Sequence, residues 1–498
     1  MSKGRSLKRL TCMLAAVMAA AVLPMTAFAA EETGAADIWD GTADTGWYDP
    51  DDAKESYTLI TAEQLAGLAR LVNEDVRFTD TTILLDNDLD LSGHEWISIG
   101  SGANTPAYAF GGTFDGQGHV INGLYSHEDY RSDDPDKTAH NTIRHGLFGA
   151  VYEGTIRNLG VRDADILISE KDVSTYGMGI IVDWFTKSTM SGCYSTGSIT
   201  GGSYIEKYIG GLVGFANGDI AIQASYSQAV ITGNYTNSGD YYDDGMVYWD
   251  SLGGILGASY TGTATITDCW YDGKIVVNAI QAPVGGIVGY AEGAVVDNCM
   301  VATTDIGVDP TEEGNTCWIG YVVDTDVTNC VWPDDDTYIA SIYNEESGNP
   351  AGTATNDFGD AAVLAGLQAN AQEGVNWVWG IDHPTFAGDI YNIPADYAAL
   401  DKVLETIPDD LSLYTDESAA ALQALIEQVD RGLSEAEQDR VDALADAIAK
   451  AVSALEEKPA EPDIPETGVG SGLGMGMLLL LLGAGSLTGS VKLAGKIR

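Results

Sequence analysis

Two His-Glu pairs are the residues in this sequence that come nearest to a catalytic motif. A zinc peptidase of the His-Glu-x-x-His type needs two histidines four residues apart, with the glutamate as general base. The pairs at 94–95 and 127–128 begin that pattern. Their fifth positions are Ser98 and Arg131, so neither pair completes a zinc-peptidase site.

Three alternating aspartates, Asp86, Asp88 and Asp90, are spaced like the first ligands of a calcium loop. The twelfth position of that loop is Ile97, where a bidentate glutamate is required. We therefore interpret the aspartates as a solvated strand face.

Three histidines fall in the segment 127–145, namely His127, His140 and His145. They lie among arginines and aspartates but lack the spacing of metal ligands. A polar crossing loop is the favoured interpretation, and a catalytic or metal-binding loop is the alternative.

Carboxylate pairs carry little information here, because the chain has 74 acidic residues. Glycosidases need two carboxylates several ångströms apart, and chance alone supplies such pairs in this chain. We therefore predict no catalytic residue, no metal and no cofactor, and expect that the protein is not an enzyme. A wall-anchored polysaccharide-degrading enzyme and a structural spacer are the alternatives.

One segment, 234–250, interleaves aromatic residues with carboxylates in a way that suits ligand binding. Aromatic rings stack on sugars or form the centre of a protein interface, and carboxylates add hydrogen bonds. The alternative is that the rings only pack on the neighbouring part of the fold. The candidate binding residues are Tyr235, Tyr241, Tyr242, Asp243, Asp244, Tyr248 and Trp249.

That segment interrupts a repeated phrase of glycines around an apolar pair. Successive copies are 33, 32, 43, 32 and 34 residues apart, and the surplus in the longest spacing falls in 234–250. Insertions in stacked repeats emerge as loops on one face. The copies are GLFG at Gly146, GIIV at Gly179, GLVG at Gly211, GILG at Gly254, GIVG at Gly286 and GYVV at Gly320.

The repeat units contain short β-branched runs and no amphipathic helix, which favours a mainly β fold. We predict a right-handed parallel β-helix, a solenoid with end caps in which each unit forms one coil. The glycines would allow a sharp turn with positive φ where neighbouring coils crowd.

A second column follows each glycine phrase, and four cysteines occupy it. Because leucine and serine also occur there, we predict buried free thiols stacked in a ladder rather than disulfides or a metal site. The column is Leu159, Cys193, Ser225, Cys269, Cys299 and Cys330.

The glycine phrase resembles the GLUG-repeat family of secreted bacterial proteins, over roughly residues 57–390. Phrases such as FGGTFDGQGHVINGLY, which usually lead such repeats, agree with it. Residues 57–78 would form a cap at the open end of the coil. Residues 363–386, which contain tryptophans, would shield its last turn.

A region rich in alanine, leucine and acidic residues follows, with helical periodicity over 396–407, 416–431 and 435–456. Thr415 and Ser434 stand at predicted helix starts, and Ser434 begins a capping box. We predict a small three-helix bundle, which resembles the FIVAR-type modules of Gram-positive surface proteins.

The N-terminus reads as a signal peptide, with basic residues, an apolar core and a cleavage site of small residues at Ala27 and Ala29. The C-terminus has a pentapeptide, then an uncharged stretch (469–491) long enough to form a hydrophobic helix across a bilayer, then basic residues. This order resembles a sortase signal, with Ile464 in place of the usual leucine. The pentapeptide is Ile464, Pro465, Glu466, Thr467 and Gly468.

The sorting resemblance implies cleavage after Thr467 and attachment of that residue to peptidoglycan by a sortase. The expected protein is therefore secreted, displayed on a Gram-positive wall, and in contact with membrane only before sorting. The formal net charge of −50 argues against nucleic acid as a partner.

The expected function is adhesion or ligand binding, with a host glycan or protein as the ligand. The expected organisation is 1–29 signal peptide, 30–56 lead-in, 57–393 β-helix with caps, 394–457 helical bundle, 458–468 stalk and sorting motif, and 469–498 hydrophobic segment with basic tail.

Overall fold

The computed structural model describes residues 38–100, 106–127, 144–167, 177–201, 208–234, 250–277, 282–307, 316–323, 326–335, 338–342 and 351–459. Within these residues, the strands stack into three parallel sheets of 11, 9 and 13 strands, and the chain visits each sheet in turn. This is the arrangement of a parallel β-helix, so the predicted mainly β solenoid is confirmed at that level.

Sheet 1 contains the glycine phrases. Its strands are Phe148–Tyr152, Gly177–Gly179, Val182–Thr186, Tyr208–Gly210, Val213–Asn217, Ser251–Gly253, Leu256–Ser259, Val284–Gly285, Val288–Glu292, Thr316–Val323 and Ile339–Ile342.

Sheet 2 follows sheet 1 in each coil and alternates inward apolar with outward polar residues. Its strands are Ser56–Leu59, Thr82–Leu85, Thr113–Asp115, Thr155–Arg157, Thr189–Ser191, Ile220–Gln223, Ala264–Thr267, Ala294–Asp297 and Asp326–Thr328.

Sheet 3 completes each coil and follows the turn that leaves sheet 2. Its strands are Leu89–Asp90, Val120–Asn122, Tyr125–Ser126, Gly160–Leu167, Tyr194–Gly201, Tyr226–Ser227, Val230–Gly233, Trp270–Tyr271, Lys274–Val277, Met300–Val301, Ile306–Gly307, Cys330–Pro333 and Gly352–Thr355.

The glycines of sheet 1 are needed because the backbone passes too close for a Cβ atom. A Cβ on Gly210 would lie 1.9 Å from the carbonyl oxygen of Val213, three residues on. A Cβ on Gly254 would lie 2.0 Å from the carbonyl oxygen of Gly286 in the next coil. Close approach between backbones is therefore the constraint that selects glycine here.

The predicted positive φ is absent at Gly211, Gly254 and Gly286, but it is present at Gly146 (φ 89°). It is also present where each phrase ends, in the turn from sheet 1 to sheet 2, at Gly218, Gly262 and Gly293 with φ of 72°, 73° and 68°. A second left-handed position lies at the turn from sheet 2 to sheet 3, where one residue per coil has φ between 47° and 60°. Asparagine, aspartate and alanine are tolerated there as well as glycine. These residues are Asn158, Gly192, Ala224, Asp268, Asn298 and Asn329.

Strand pairing also corrects the alignment of the two worn glycine phrases. Gly179 pairs with Gly210, so Ile180 occupies the place of Gly211. Gly320 pairs with Val288, two places beyond the glycine with which the sequence aligned it. Relative to the alignment of the sequence, the hydrogen-bonded pairing of strands shifts the phrase at Gly179 by one residue and the phrase at Gly320 by two.

Long connections run from sheet 3 to sheet 1. Between Ser126 and Thr316, at least six residues separate each coil's last strand of sheet 3 from the next strand of sheet 1, whereas two residues separate sheet 2 from sheet 3 between Arg157 and Met300. We call the corner between sheets 3 and 1 the loop edge. The segment 234–250 lies in the connection between Gly233 and Ser251.

Helix α1 (Ala62–Asn73) packs Leu65, Leu68 and Val72 into the same core as the first coils. Thr61 caps it by accepting a hydrogen bond from the backbone N–H of Gln64 at 3.3 Å. The Gln64 side chain accepts one from the backbone N–H of Ile60. These two hydrogen bonds make a helix start similar to a capping box.

Beyond the coil lie α2 (Ala361–Asn370), a hairpin of Trp377–Trp379 with Pro384–Phe386, and then α3 (Ala398–Leu404), α4 (Asp416–Ile426) and α5 (Gln438–Ser453). The last three helices share one buried apolar cluster. Short 3-10 turns occur at Pro50–Asp52, Pro106–Tyr108, Leu411–Leu413 and Glu435–Glu437. No helix in the described part of the chain is both long and apolar enough for a membrane span, and 469–491 lies outside that part.

Replacing Gly254 with alanine tests the close-approach constraint. The added Cβ would lie 2.0 Å from the Gly286 carbonyl oxygen and 2.3 Å from Tyr271 Cγ, both in the buried coil. We expect the free energy of unfolding to fall by about 3 kcal/mol, as measured by urea denaturation.

Gly366→Ala is the matched control, because Gly366 is an exposed residue of α2 with nothing within 4 Å of the added Cβ. It should stabilise the protein by about 0.5–1 kcal/mol. Equal stability of the two variants would contradict the constraint.

Candidate binding surface

A row of aromatic side chains lies on the outer face of sheet 1. In the strand Val213–Asn217, Val213 and Ala216 enter the core while Phe215 points outward. Strand pairing places Trp184, Ala258 and Tyr290 at the corresponding position of other coils. We define the aromatic strip as Trp184, Tyr208, Phe215, Tyr260, Tyr290 and Tyr321.

Rings of the aromatic strip lean on one another across successive coils. The Phe215 ring centroid lies 4.5 Å from that of Trp184 and 5.1 Å from that of Tyr208. Tyr290 bridges Tyr260 and Tyr321 at 4.9 and 5.6 Å. Tyr208 and Tyr290 are buried, with exposed fractions of 2% and 9%, whereas the other four rings of the strip are half-buried and keep part of their surface exposed.

Tyr290 keeps its proton in this setting. Burial raises the pKa of its phenol well above the ordinary value, and the nearby Glu292 carboxylate raises it further. The hydroxyl donates to Glu292 at 2.7 Å. The strip therefore carries a carboxylate fixed beside an aromatic ring.

A buried ion pair lies at one end of the strip. The guanidinium of Arg144 lies 4.9 Å from the Trp184 ring centroid and 3.8 Å from the Asp183 carboxylate. Pairing of the flanking residues puts Asp183 at the place that Gly214 takes in the next coil. The aspartate thus replaces a glycine of the phrase, and Arg144 compensates its charge.

The candidate loop residues predicted from the sequence, Tyr235 to Trp249, lie outside the described residues. The described residues on either side are Asn234, directly after the sheet 3 strand Val230–Gly233, and Asp250. The next residue, Ser251, pairs with Tyr208 of the aromatic strip. The attachment of this loop is therefore adjacent to the strip.

The structure brings the two His-Glu pairs together, since the backbone N–H of His127 donates to the Glu95 carboxylate at 2.8 Å. His127 contacts Asp165 at 3.0 Å, and Asp88 contacts His119 at 3.1 Å. His145 is buried, with Nδ1 at 2.8 Å from Ser126 Oγ. His140, Ala27, Ala29 and the pentapeptide 464–468 lie outside the described residues. Within those residues no three metal-ligating side chains converge.

The cysteine column is aligned as predicted, since Tyr194, Tyr226, Trp270 and Met300, each one residue on, pair in register. All five described cysteines are buried and free. Burial raises the pKa of the Cys193 thiol to about 12. The column therefore consists of unreactive thiols that fill the core.

Sequence reasoning missed the aromatic strip, although a signal existed. The residue directly after the closing glycine of the phrase is aromatic in GLVGF and GIVGY. When the glycine phrases are aligned, these aromatic residues fall in one column, but only the glycines were used for prediction.

No family model and no curated protein matches this chain. Among solved structures, one similar chain is a Bacteroides ovatus protein provisionally named an immunoglobulin A1 protease. It has 17% identity and a TM-score of 0.44, over 67% of this chain and 92% of that one. A second, named IgA1 protease, has 14% identity and a TM-score of 0.35, over 74% of this chain and 28% of that one.

These comparisons overturn the expectation that the protein is not an enzyme, because both solved structures carry the name of a protease. We therefore withdraw that expectation. At these TM-scores, the similarity transfers neither a reaction nor a catalytic residue to this chain.

Arg144→Met tests the compensated aspartate. The variant leaves the Asp183 carboxylate buried without its guanidinium, which should lower the free energy of unfolding by about 3–5 kcal/mol. Adding Asp183→Gly restores the glycine of the phrase and should recover most of that loss. A double variant as unstable as Arg144→Met alone, in urea denaturation, would contradict this assignment.

Proposed function

We propose that this is a secreted surface protein of a Gram-positive wall whose β-helix binds a ligand at the loop edge and the adjoining aromatic strip. The ligand class is a host glycan or protein. The observation that carries the proposal is that the long connections of six consecutive coils join sheet 1 at one corner, beside a row of aromatic side chains.

A stacked coil needs only short turns between its sheets, and the turn from sheet 2 to sheet 3 is short in coil after coil. Extra length at one corner is therefore not required for stacking, and loops on a rigid scaffold commonly carry binding residues. Aromatic side chains with a polar tip contribute contact area and hydrogen bonds together. The candidate loop residues from Tyr235 to Trp249 belong to this edge.

The wall attachment is supported by the order of segments at the C-terminus. Helices α3 to α5, which we propose to be a FIVAR-like module, end at Ser453. A proline-rich stretch and the pentapeptide 464–468 follow in the sequence. A sortase would cleave after Thr467 and join that residue to peptidoglycan.

Binding is tested on arrays of glycans and host surface proteins. Replacing both Phe215 and Tyr260 with alanine removes two half-buried rings of the strip, and deleting 235–249 removes the candidate loop. Each change should raise the Kd about tenfold or more. Thr265→Ala, at an outward position of sheet 2, is the control and should leave the Kd unchanged.

Retention that survives both the double substitution and the deletion would contradict the proposed surface. If the protein is retained neither on the glycan array nor on the array of host proteins, the proposed ligand class is contradicted.

Wall attachment is tested by Thr467→Ala in the producing cell. The unmodified protein should leave the cell only after peptidoglycan digestion. The variant should appear in the membrane fraction or the medium, because no threonine carboxylate can be joined to the wall. Glu466→Ala, at the variable position of the pentapeptide, should stay wall-bound. Release of both variants alike would contradict sorting at this site.

A further inference from the structure

The chain reverses direction after the last coil and runs back along sheet 3. Gly352–Thr355 pairs with Cys330–Pro333, the last coil position of that sheet. We call the following residues, 356–394, the strap. Along the strap, successive residues contact progressively earlier coils. Residues 363–386 were predicted to shield the last turn, but they follow the side of the coil instead.

Each step of that path is marked by one contact between strap and coil. The Leu367 carbonyl accepts from Asn298, and the His383 ring lies 4.6 Å from that of Trp270. Farther along, the Tyr391 ring lies 6.0 Å from that of Tyr194. From the coil of Val331 to that of Tyr194 the strap passes back over four steps, about 19 Å.

The first fastening point is the buried carboxylate of Asp268. It accepts hydrogen bonds from Asn298 Nδ2 at 2.6 Å, from the backbone N–H of Gln372 at 3.0 Å and from Trp377 Nε1 at 3.0 Å. Two of these donors belong to the strap. A buried carboxylate with three donors is costly to separate from them.

The second fastening point is Asp389 of the strap. Its carboxylate accepts from the Tyr226 hydroxyl at 2.9 Å and from Asn392 Nδ2 at 2.9 Å, and Thr385 also donates to it. Gln228 donates to the Asn392 side chain at 3.2 Å. The Tyr226 ring is itself stacked between those of Tyr194 and Trp270, so this point holds a row of rings on the face of sheet 3 that the strap covers.

The end of the strap is joined to the helical segment by backbone hydrogen bonds. Glu435 N–H donates to the Ile393 carbonyl at 2.8 Å, and Ala436 N–H donates to that of Ile390 at 2.9 Å. Ala395 N–H donates to the Leu433 carbonyl at 3.0 Å. The helices therefore leave the coil from its side, near Tyr226, and are not suspended from its last turn.

We propose that the strap is a mechanical clamp. While the strap is docked, tension on the C-terminus enters the coil at Tyr194 and Tyr226, and the coils from Trp270 to Val331 carry no load. A stacked repeat is held only by its neighbours, so a pull on the final coil would peel coils away one by one. The two fastening points oppose such a pull together. Only the source of the tension, the wall attachment, rests on the proposed function.

The clamp is tested by pulling the full secreted chain between handles at its two ends in a single-molecule instrument. In the unmodified protein, the first extension beyond that of the helical segment, which lies between the strap and the C-terminal handle, should correspond to the length of the strap and precede any loss of coils. First extensions of one repeat length, from coils peeling off the C-terminal end, would overturn the proposal. This result does not depend on whether a sortase processes the protein.

Asp389→Ala should shorten the lifetime of the docked strap at constant tension about tenfold, since it removes a hydrogen-bonded carboxylate. Tyr226→Phe removes only the donating hydroxyl and should shorten it severalfold, which keeps the test open if Asp389→Ala fails to fold. Asp382→Ala, at an exposed strap position, is the matched control and should leave the lifetime unchanged. Unchanged lifetimes in both Asp389→Ala and Tyr226→Phe would overturn the proposal.

Discussion

The fold depends on how closely the backbone of one coil approaches itself and the next coil in sheet 1. A Cβ at Gly210 or Gly253 would lie 1.9 Å from a carbonyl oxygen of its own coil, and at Gly254 it would lie 2.0 Å from one in the next coil. Glycine is therefore selected by contact and not by dihedral freedom. Once these contacts set one coil upon another, the register of sheets 2 and 3 follows, including the ladder of buried thiols.

Because the coils stack in register, each side of the coil forms a continuous surface with its own character. The turns between sheets 2 and 3 are short and use one left-handed residue each, so little can project there. Sheet 3 is partly covered by the strap through Tyr226 and Trp270. The surface that we propose for ligand binding, the loop edge with the aromatic strip, lies on sheet 1, on a scaffold that the strap connects to the helical segment.

The sequence was sufficient to predict the solenoid and the thiol column, because each depends on a period that a stacked coil preserves. It misplaced the phrases at Gly179 and Gly320, since register is set by hydrogen bonds between strands and not by matching letters. The reversal of the strap could not be predicted, because it depends on Asp268 meeting Trp377 from a segment 109 residues away. The aromatic strip was within reach, through the residue after each closing glycine.

Constant rise per coil is the central claim, and electron spin resonance distances between nitroxide pairs on the outer face of sheet 2 test it most directly. The pair Thr82 and Ala221 and the pair Thr189 and Asp326 are each four coils apart by strand pairing. Each pair spans one long coil, of 155 − 113 = 42 residues in the first pair and 265 − 221 = 44 in the second. Both backbone separations should be about 19 Å. A longer distance for either pair would show that the extra residues enter the stack, which contradicts the account.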